Sequence, residues 1–380
     1  MNRNLLLVAL SLFTWGLGES FFIYFQPLYL QQWGASSVEI GGVLGGVGVV
    51  LALSQIPTGL LTDRLGPKKL MWASWIIGVV AAWMMVIAPS LPFFIVAYLL
   101  YGLTGFGIIP MNAYITNVRG NLSVGRALTF VSGMYNLGSI IGPIVGGRIA
   151  DQLGLHSIYI VAACIFVIST FLILLVQTVH EIHPDDLKQA SGPKKLLGNP
   201  RFWTFLALAF FTLIALYLPQ PLNSNFLQNQ QHLSNTTIGI IGAVGSLGNA
   251  FATLALGNIA SFWGLLIGQA WVGVFAGIYL LGNSPFWFGL GFFFFGGYRL
   301  FRSMTLAYAK PMASLSETGL LYGLLETAAS LAVIIAPVLA GLLYEQDPYS
   351  IYRTSFWAIL LLLALNVFMI KVVFPRMHPE

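Results

Sequence analysis

The sequence predicts an all-α membrane protein, with twelve transmembrane helices in two pseudo-symmetric six-helix bundles. Three observations predict it. First, the 380 residues are 57% hydrophobic and 8% charged, where a soluble domain carries about 25% charged residues. So few charges cannot solvate a globule of this size. Second, the apolar residues gather into twelve segments near 5–30, 38–60, 70–88, 91–116, 126–150, 156–178, 202–222, 236–260, 264–282, 286–309, 319–343 and 351–374. Each approaches or exceeds the roughly 20 residues that cross hydrocarbon as a helix. Third, the second six segments repeat the first. Residues 125–154 lie over 319–348 without a gap at an offset of 194, so that Gly142-Pro143 meets Ala336-Pro337, Gly147 meets Gly341 and Asp151 meets Glu345. At the same offset Gln26-Pro27-Leu28 recurs as Gln220-Pro221-Leu222, and Ala113-Tyr114 as Ala307-Tyr308. At an offset of 198, Ser36, Ile40, Gly41, Gly59 and Gly66 recur as Ser234, Ile238, Gly239, Gly257 and Gly264. Gly and Pro at fixed offsets along most of a half mark a duplicated unit. The expected domains are a first bundle over 1–179, a cytoplasmic linker over 180–201 and a second bundle over 202–380.

The first apolar run is too long for a signal-peptide core and lacks a small-residue cleavage site, so it is expected to be a retained span. The stretch from Gly59 to Leu70, GLLTDRLGPKKL, is the first strongly charged break. Gly59 permits close helix packing. Asp63 and Arg64 are costly in hydrocarbon and mark a water boundary. Gly66-Pro67 turns the chain, and Lys68 and Lys69 suit an anionic lipid surface. If this loop is cytoplasmic, thirteen of the seventeen basic residues share its side: Arg3, Arg64, Lys68, Lys69, Arg119, Arg126, Lys188, Lys194, Lys195, Arg201, Lys310, Lys371 and Arg376. Arg148 and Arg353 fall opposite, and Arg299 and Arg302 lie inside a span. The bias places both termini and the linker in the cytoplasm, and the expected membrane is a bacterial inner membrane. The net charge of +5 is scattered over short loops, so no nucleic-acid partner is expected. Cys164 reads as a small apolar filler. The linker cluster of His180, His183 and Asp185 reads as solvated.

The Gly59–Leu70 stretch resembles the loop between the second and third spans of the major facilitator superfamily, whose pattern is roughly G-x-x-x-D-R-x-G-R-K. Gly59, Asp63, Arg64, Gly66 and Lys68 match, and Pro67 stands where a first basic residue is usual. The resemblance implies a conformational lock, with Asp63 expected near the start of the eleventh span. The second copy has lost it, because Ser261 and Phe262 replace the Asp-Arg pair. The fifth span reads Gly138-x-x-x-Gly142-Pro143-x-x-Gly146-Gly147. It is similar to the fifth-span motif of the drug/proton antiporters of that superfamily. The alternative reading is a close-packed bent helix of any such transporter. Both make these five residues a pivot.

The resemblance further implies that spans 1, 4, 7 and 10 line a central cavity. Span 1 carries Glu19, 14 residues past Leu5, about 21 Å along a helix. A charged carboxylate at that depth is costly, so its proton should be exchangeable. The coupling role competes with a purely structural hydrogen bond to a neighbouring helix. Tyr24 and Gln26 near the end of span 1, Asn112 and Tyr114 in span 4, Gln220 and Asn223 at the end of span 7, and Tyr298 and Arg299 in span 10 are candidate substrate contacts or interface residues. Arg302 shares a helix face with Arg299 and needs an anionic partner. Glu326 lies at similar depth, so a structural Arg302–Glu326 pair is expected, leaving Arg299 for an anionic substrate or for Glu19. Tyr101 stands where the family's fourth span has an arginine, which puts the usual proton relay in doubt. No phosphate loop, metal spacing or enzyme constellation is present in the sequence, and no cofactor is expected. The expected protein is a monomeric secondary transporter exchanging protons for a small lipophilic compound. The alternatives are a carrier of organic anions or sugars, and a non-transporting membrane receptor or assembly protein.

Overall fold

The computed structural model describes residues 2–177, 196–257, 259–313 and 317–372. The linker cluster, Arg376 and the side chains of Gly59, Asp63 and Lys371 lie outside them. The regular structure of the described residues is helical: α1 (Arg3–Ile23), α2 (Gln26–Gln32), α3 (Ser37–Leu65), α4 (Pro67–Val86), α5 (Leu91–Leu103), α6 (Ile108–Val118), α7 (Val124–Leu153), α8 (Leu155–Leu174), α9 (Pro200–Tyr217), α10 (Asn223–Asn229), α11 (Asn235–Ala255), α12 (Ser261–Leu281), α13 (Pro285–Phe294), α14 (Gly297–Ala309), α15 (Thr318–Gln346) and α16 (Ser350–Val372).

Proline and glycine decide where the apolar segments break. The first segment, expected to run to residue 30, is two helices, because Pro27 cannot continue α1 but suits the first turn of α2. The seventh breaks likewise before α10, after Pro219 and Pro221. The fourth segment is interrupted by a 3₁₀ turn over Thr104–Gly107. A side chain at Gly105 would strike Leu51, and one at Gly107 would strike Ser74, so the glycines permit close packing at the break. The tenth segment breaks between α13 and α14, where added side chains at Gly296 and Gly297 would meet the backbones of Gly248 and Gly268. Among the described residues eleven stretches are long and apolar enough to span a membrane. The one predicted segment not among them, the tenth, is the broken α13–α14 pair, whose second half carries Arg299, Arg302 and Ser303.

The chain divides into two units, residues 1–183 with 224–243, and residues 184–223 with 244–380. In the first, α1 packs on α7 and α8 around the buried rings of Trp15, Phe22, Tyr101 and Phe166. In the second, α12 packs on α14 and α16 around Phe275, Tyr279, Phe288 and Tyr352. Gln269 is fully buried there and donates to the Ile359 carbonyl at 3.3 Å, while its own oxygen accepts from Asn366 at 3.0 Å. The outer faces are strongly apolar, with Leu53, Phe171, Leu254, Phe286, Trp357 and Leu361 among the exposed side chains. Such a surface suits hydrocarbon, where the backbone is satisfied within each helix.

Single glycines join two of the helix pairs. Gly66, at φ 80°, is both the last cap of α3 and the first of α4, and Gly154, at φ 84°, does the same for α7 and α8. Residues with side chains rarely adopt this backbone conformation.

Candidate functional site

Glu19 is half-buried on α1 between Gly18 and Ser20. Its Oε1 accepts a hydrogen bond from the Tyr101 hydroxyl at 2.9 Å, and its Oε2 accepts one from the Tyr135 hydroxyl at 2.6 Å. Tyr101 comes from α5 and Tyr135 from α7. Tyr101 is buried and its ring is wedged in place. It stacks on Trp15 at 6.1 Å and on Phe166 at 5.7 Å, and meets Phe22 edge-on at 5.3 Å. Tyr135 reaches Glu19 because α1 and α7 approach closely. A side chain at Gly16 would collide with the Tyr135 carbonyl.

The glycine stripe of α7 explains that approach. Side chains at Gly138, Gly142 and Gly146 would each strike the backbone of α1, at Phe13, Leu17 and Phe21 respectively. Tyr135 precedes Gly138 by three residues and so shares its face. The signal for it in the sequence is a polar residue on that glycine stripe, and the stripe alone does not mark it as a partner of Glu19. Gly147 faces another way: its side chain would strike Asn235 and Thr236. Beside it the Asp151 carboxylate accepts from the backbone N–H groups of Asn235 and Thr236, at 2.9 and 2.8 Å, and from the Thr236 hydroxyl at 2.6 Å. Pro143 sits inside an uninterrupted α7, and its carbonyl occupies the space a side chain at Gly239 would need.

In the second unit Arg302 of α14 and Glu326 of α15 form a hydrogen-bonded ion pair, as the matched depths predicted. Tyr298, one turn before Arg302, lies parallel to Phe295 at 5.9 Å and tilted against Tyr217 at 5.2 Å. Arg299 is exposed. Both members of the ion pair are 42% exposed but stand on membrane-spanning segments, where a charge without its partner is costly. Glu326→Ala should therefore lower stability by more than the roughly 0.5 kcal/mol of a water-exposed pair, and removing Arg302 as well should recover part of the loss. Melting curves of both single variants and the double variant measure this coupling, and strictly additive losses would refute it.

The remaining candidates separate by burial. Gln26 is fully buried, its Oε1 accepting from Tyr159 at 2.7 Å. Tyr114 is buried and donates to the Gln177 carbonyl at 2.6 Å. Asn223 is buried and accepts from Tyr352 at 2.8 Å. These three spend polar groups inside the protein. Asn112 and Arg299 are exposed, and Tyr24 and Gln220 are half-buried. In the α3–α4 joint Arg64 is exposed, and the Lys68 ammonium sits 4.3 Å from the centre of the Trp72 ring, a cation–π contact.

Residues 8–260 and 209–380 match the family model of the Major Facilitator Superfamily. The chain belongs to that superfamily. Among its curated MFS relatives, the multidrug resistance protein MdtG of Citrobacter koseri is 31% identical over 223 residues, covering 56% of this chain and 54% of the relative. An uncharacterized MFS-type transporter of Methanocaldococcus jannaschii is 26% identical over 156 residues, covering 41% of this chain and 40% of the relative. The chain thus spans about half the length of the curated relatives it matches. Solved MFS structures share the fold over nearly the whole chain. The nucleoside transporter NupG superposes with a TM-score of 0.79 at 14% identity, covering all of both chains. A bacterial homologue of the human lysosomal transporter Spinster gives 0.74 at 14% identity, over 99% of this chain and 98% of the other. The human organic anion transporter MFSD10 gives 0.65 at 16% identity, over 96% and 99%. This MFS chain is therefore a multi-pass membrane protein of a transporter superfamily.

Proposed function

We propose that the protein is a monomeric secondary transporter that exports a small lipophilic compound in exchange for protons, by alternating access of two six-helix bundles. The observation that carries this reading is Glu19, an ionisable group within a membrane-spanning helix, held by hydrogen bonds from Tyr101 and Tyr135. An acid at such depth is a functional site by default. The similarity to MdtG, a multidrug resistance protein, favours export over import. Both termini are cytoplasmic in this reading, and the membrane is the bacterial inner membrane. Tyr24, Asn112, Gln220 and Arg299 are the side chains assigned to substrate, and Tyr298, 7% exposed, stays with the buried aromatic rings beside Phe295 and Tyr217. Asp63, with Gly59, Arg64, Gly66 and Lys68, is the conformational lock. The test is proton flux in proteoliposomes challenged with a cationic, a neutral and an anionic lipophilic probe. A probe-dependent proton flux supports the reading, and binding without proton flux for every probe refutes proton coupling. A second reading, carriage of organic anions, is favoured by the exposed Arg299. It requires that the anionic probe alone raise the melting temperature.

A further inference from the structure

Helices α3 and α5 pack side by side in the first unit and diverge toward their starts. Deep in the pair they touch, since side chains at Gly105 and Gly102 would strike Leu51 and Val47 of α3. Nearer the starts, a side chain at Gly46 would come within 3.3 Å of Leu99, and one at Gly42 would meet nothing within 4 Å. The result is a tapered groove of about 280 Å³. One wall is the stripe of Glu39, Gly42 and Gly46 on α3, whose spacings of three and four share a helix face. The other is Leu91, Ile95 and Leu99 on α5. We propose that this groove binds a phospholipid with a primary ammonium headgroup, one acyl chain lying between the helices and the ammonium on the Glu39 carboxylate. The site is separate from Glu19 and does not depend on the transport reading.

Its position selects a lipid. Glu39 is in the first turn of α3 and Leu91 is the first residue of α5, and both helices begin membrane-crossing stretches there, Ser37–Gln55 and Leu91–Val118. The groove therefore opens at the boundary of headgroups and hydrocarbon and narrows into the apolar layer. Walls that face a void lose their contacts, and an acyl chain is the material at hand to restore them. Chain packing does not choose among lipids, because inside a bilayer an apolar wall gains no hydrophobic energy from one tail over another. The headgroup has to decide, and the charge at the mouth is negative. Glu39 is exposed. Its Oε2 accepts from the Ser36 backbone N–H at 2.8 Å and from the Ser36 hydroxyl at 3.0 Å. Among the described residues its Oε1 accepts no hydrogen bond and Glu39 forms no ion pair. Helix α5 holds no lysine or arginine, and the one basic residue of α3 is Arg64 in its last turn, at the opposite end from Glu39. A primary ammonium brings a positive charge and three N–H donors to that free oxygen. A choline headgroup brings the charge without the donors, and a glycerol headgroup brings no positive charge.

The experiment counts, by native mass spectrometry, the lipids retained by the detergent-purified protein after incubation with an equimolar mixture of phosphatidylethanolamine, phosphatidylcholine and phosphatidylglycerol. Glu39→Gln removes the charge yet keeps the capping box with Ser36, because glutamine serves there as glutamate does. Gly42→Leu fills the groove, and the open space at Gly42 lets it do so without moving either helix. The parent is expected to retain phosphatidylethanolamine over phosphatidylglycerol by about fivefold, equivalent to about 1 kcal/mol for an exposed ion pair, and Glu39→Gln to retain the two equally. Gly42→Leu is expected to lose the lipid whatever its headgroup, at an unchanged melting temperature. If that variant is not recovered folded, Ile95→Trp on the opposite wall fills the same space. Equal retention of all three lipids by the parent overturns the proposal, and so does a preference that survives Glu39→Gln. Phosphatidylcholine retained as well as phosphatidylethanolamine overturns recognition of a primary ammonium. Lipid retention unchanged by filling the groove overturns the site itself. A parent dimer that Gly42→Leu dissociates also overturns it, since a second copy of the chain then covers the groove.

Discussion

Glu19→Gln is expected to abolish proton-driven accumulation while exchange of substrate for substrate continues. The amide reproduces the shape of the protonated acid and can still accept from Tyr101, but it cannot lose a proton. A transporter locked in that state binds and carries substrate yet has no step that consumes the gradient. Binding of a neutral probe should survive. A cationic probe should bind more weakly, because its counter-charge is gone. A purely structural Glu19 predicts the opposite pattern: the hydrogen bonds to Tyr101 and Tyr135 are weakened, yield and melting temperature fall, and whatever folds stays coupled. Gradient-driven uptake and exchange measured on one preparation separate the two, and uptake at the parent level would remove Glu19 from the mechanism.

The largest effect on stability is expected at Gly142. A side chain there would strike the Leu17 carbonyl and the Ser20 hydroxyl, and that hydroxyl is already committed to the Gly16 carbonyl at 2.6 Å. The obstruction is partly backbone, so no rotamer change relieves it and α1 must move away from α7. Overpacking of this kind costs about 1–3 kcal/mol, sometimes more. Gly142→Val should therefore lower the melting temperature in detergent and the yield of monodisperse protein. Gly133, on the same helix, has open space where a side chain would go, and Gly133→Ala should be neutral or mildly stabilising, since Ala exceeds Gly in helix propensity by about 1 kcal/mol. Equal melting of the two variants would contradict the close approach. The same substitution also displaces Tyr135 from Glu19, so altered coupling in residual folded protein is expected.

The sequence made the architecture legible because its signals are periodic or chemically expensive. Apolar runs and the repeated Gln-Pro-Leu triplet need no tertiary knowledge. The Arg302–Glu326 pair was also legible, since counting residues along two helices from a common surface places both groups at one depth. The grip on Glu19 was not. Tyr101 is 82 residues from Glu19 and Tyr135 is 116 away, and nothing in the spacing says which face of α5 or α7 turns toward α1. Tyr101 drew notice only as a departure from a family pattern, and its partner could not be inferred from that. Gln26, Tyr114 and Asn223 illustrate the same limit from the other side. A polar residue at a span end has the same sequence signature whether it faces substrate or, as here, a buried tyrosine or carbonyl. The broken tenth segment was hidden by its uniform hydropathy up to Phe295, although Gly296-Gly297 at the break resembles the glycines that interrupt the fourth.

The one-residue joints at Gly66 and Gly154 have a mechanical consequence. Consecutive Cα atoms are about 3.8 Å apart, so the end of α3 and the start of α4 are separated by a link with almost no slack, and α7 and α8 likewise. The arms of each pair can swivel about the two dihedrals of one glycine but cannot draw apart, so any displacement of the end of α7 along its axis has to carry the head of α8 with it.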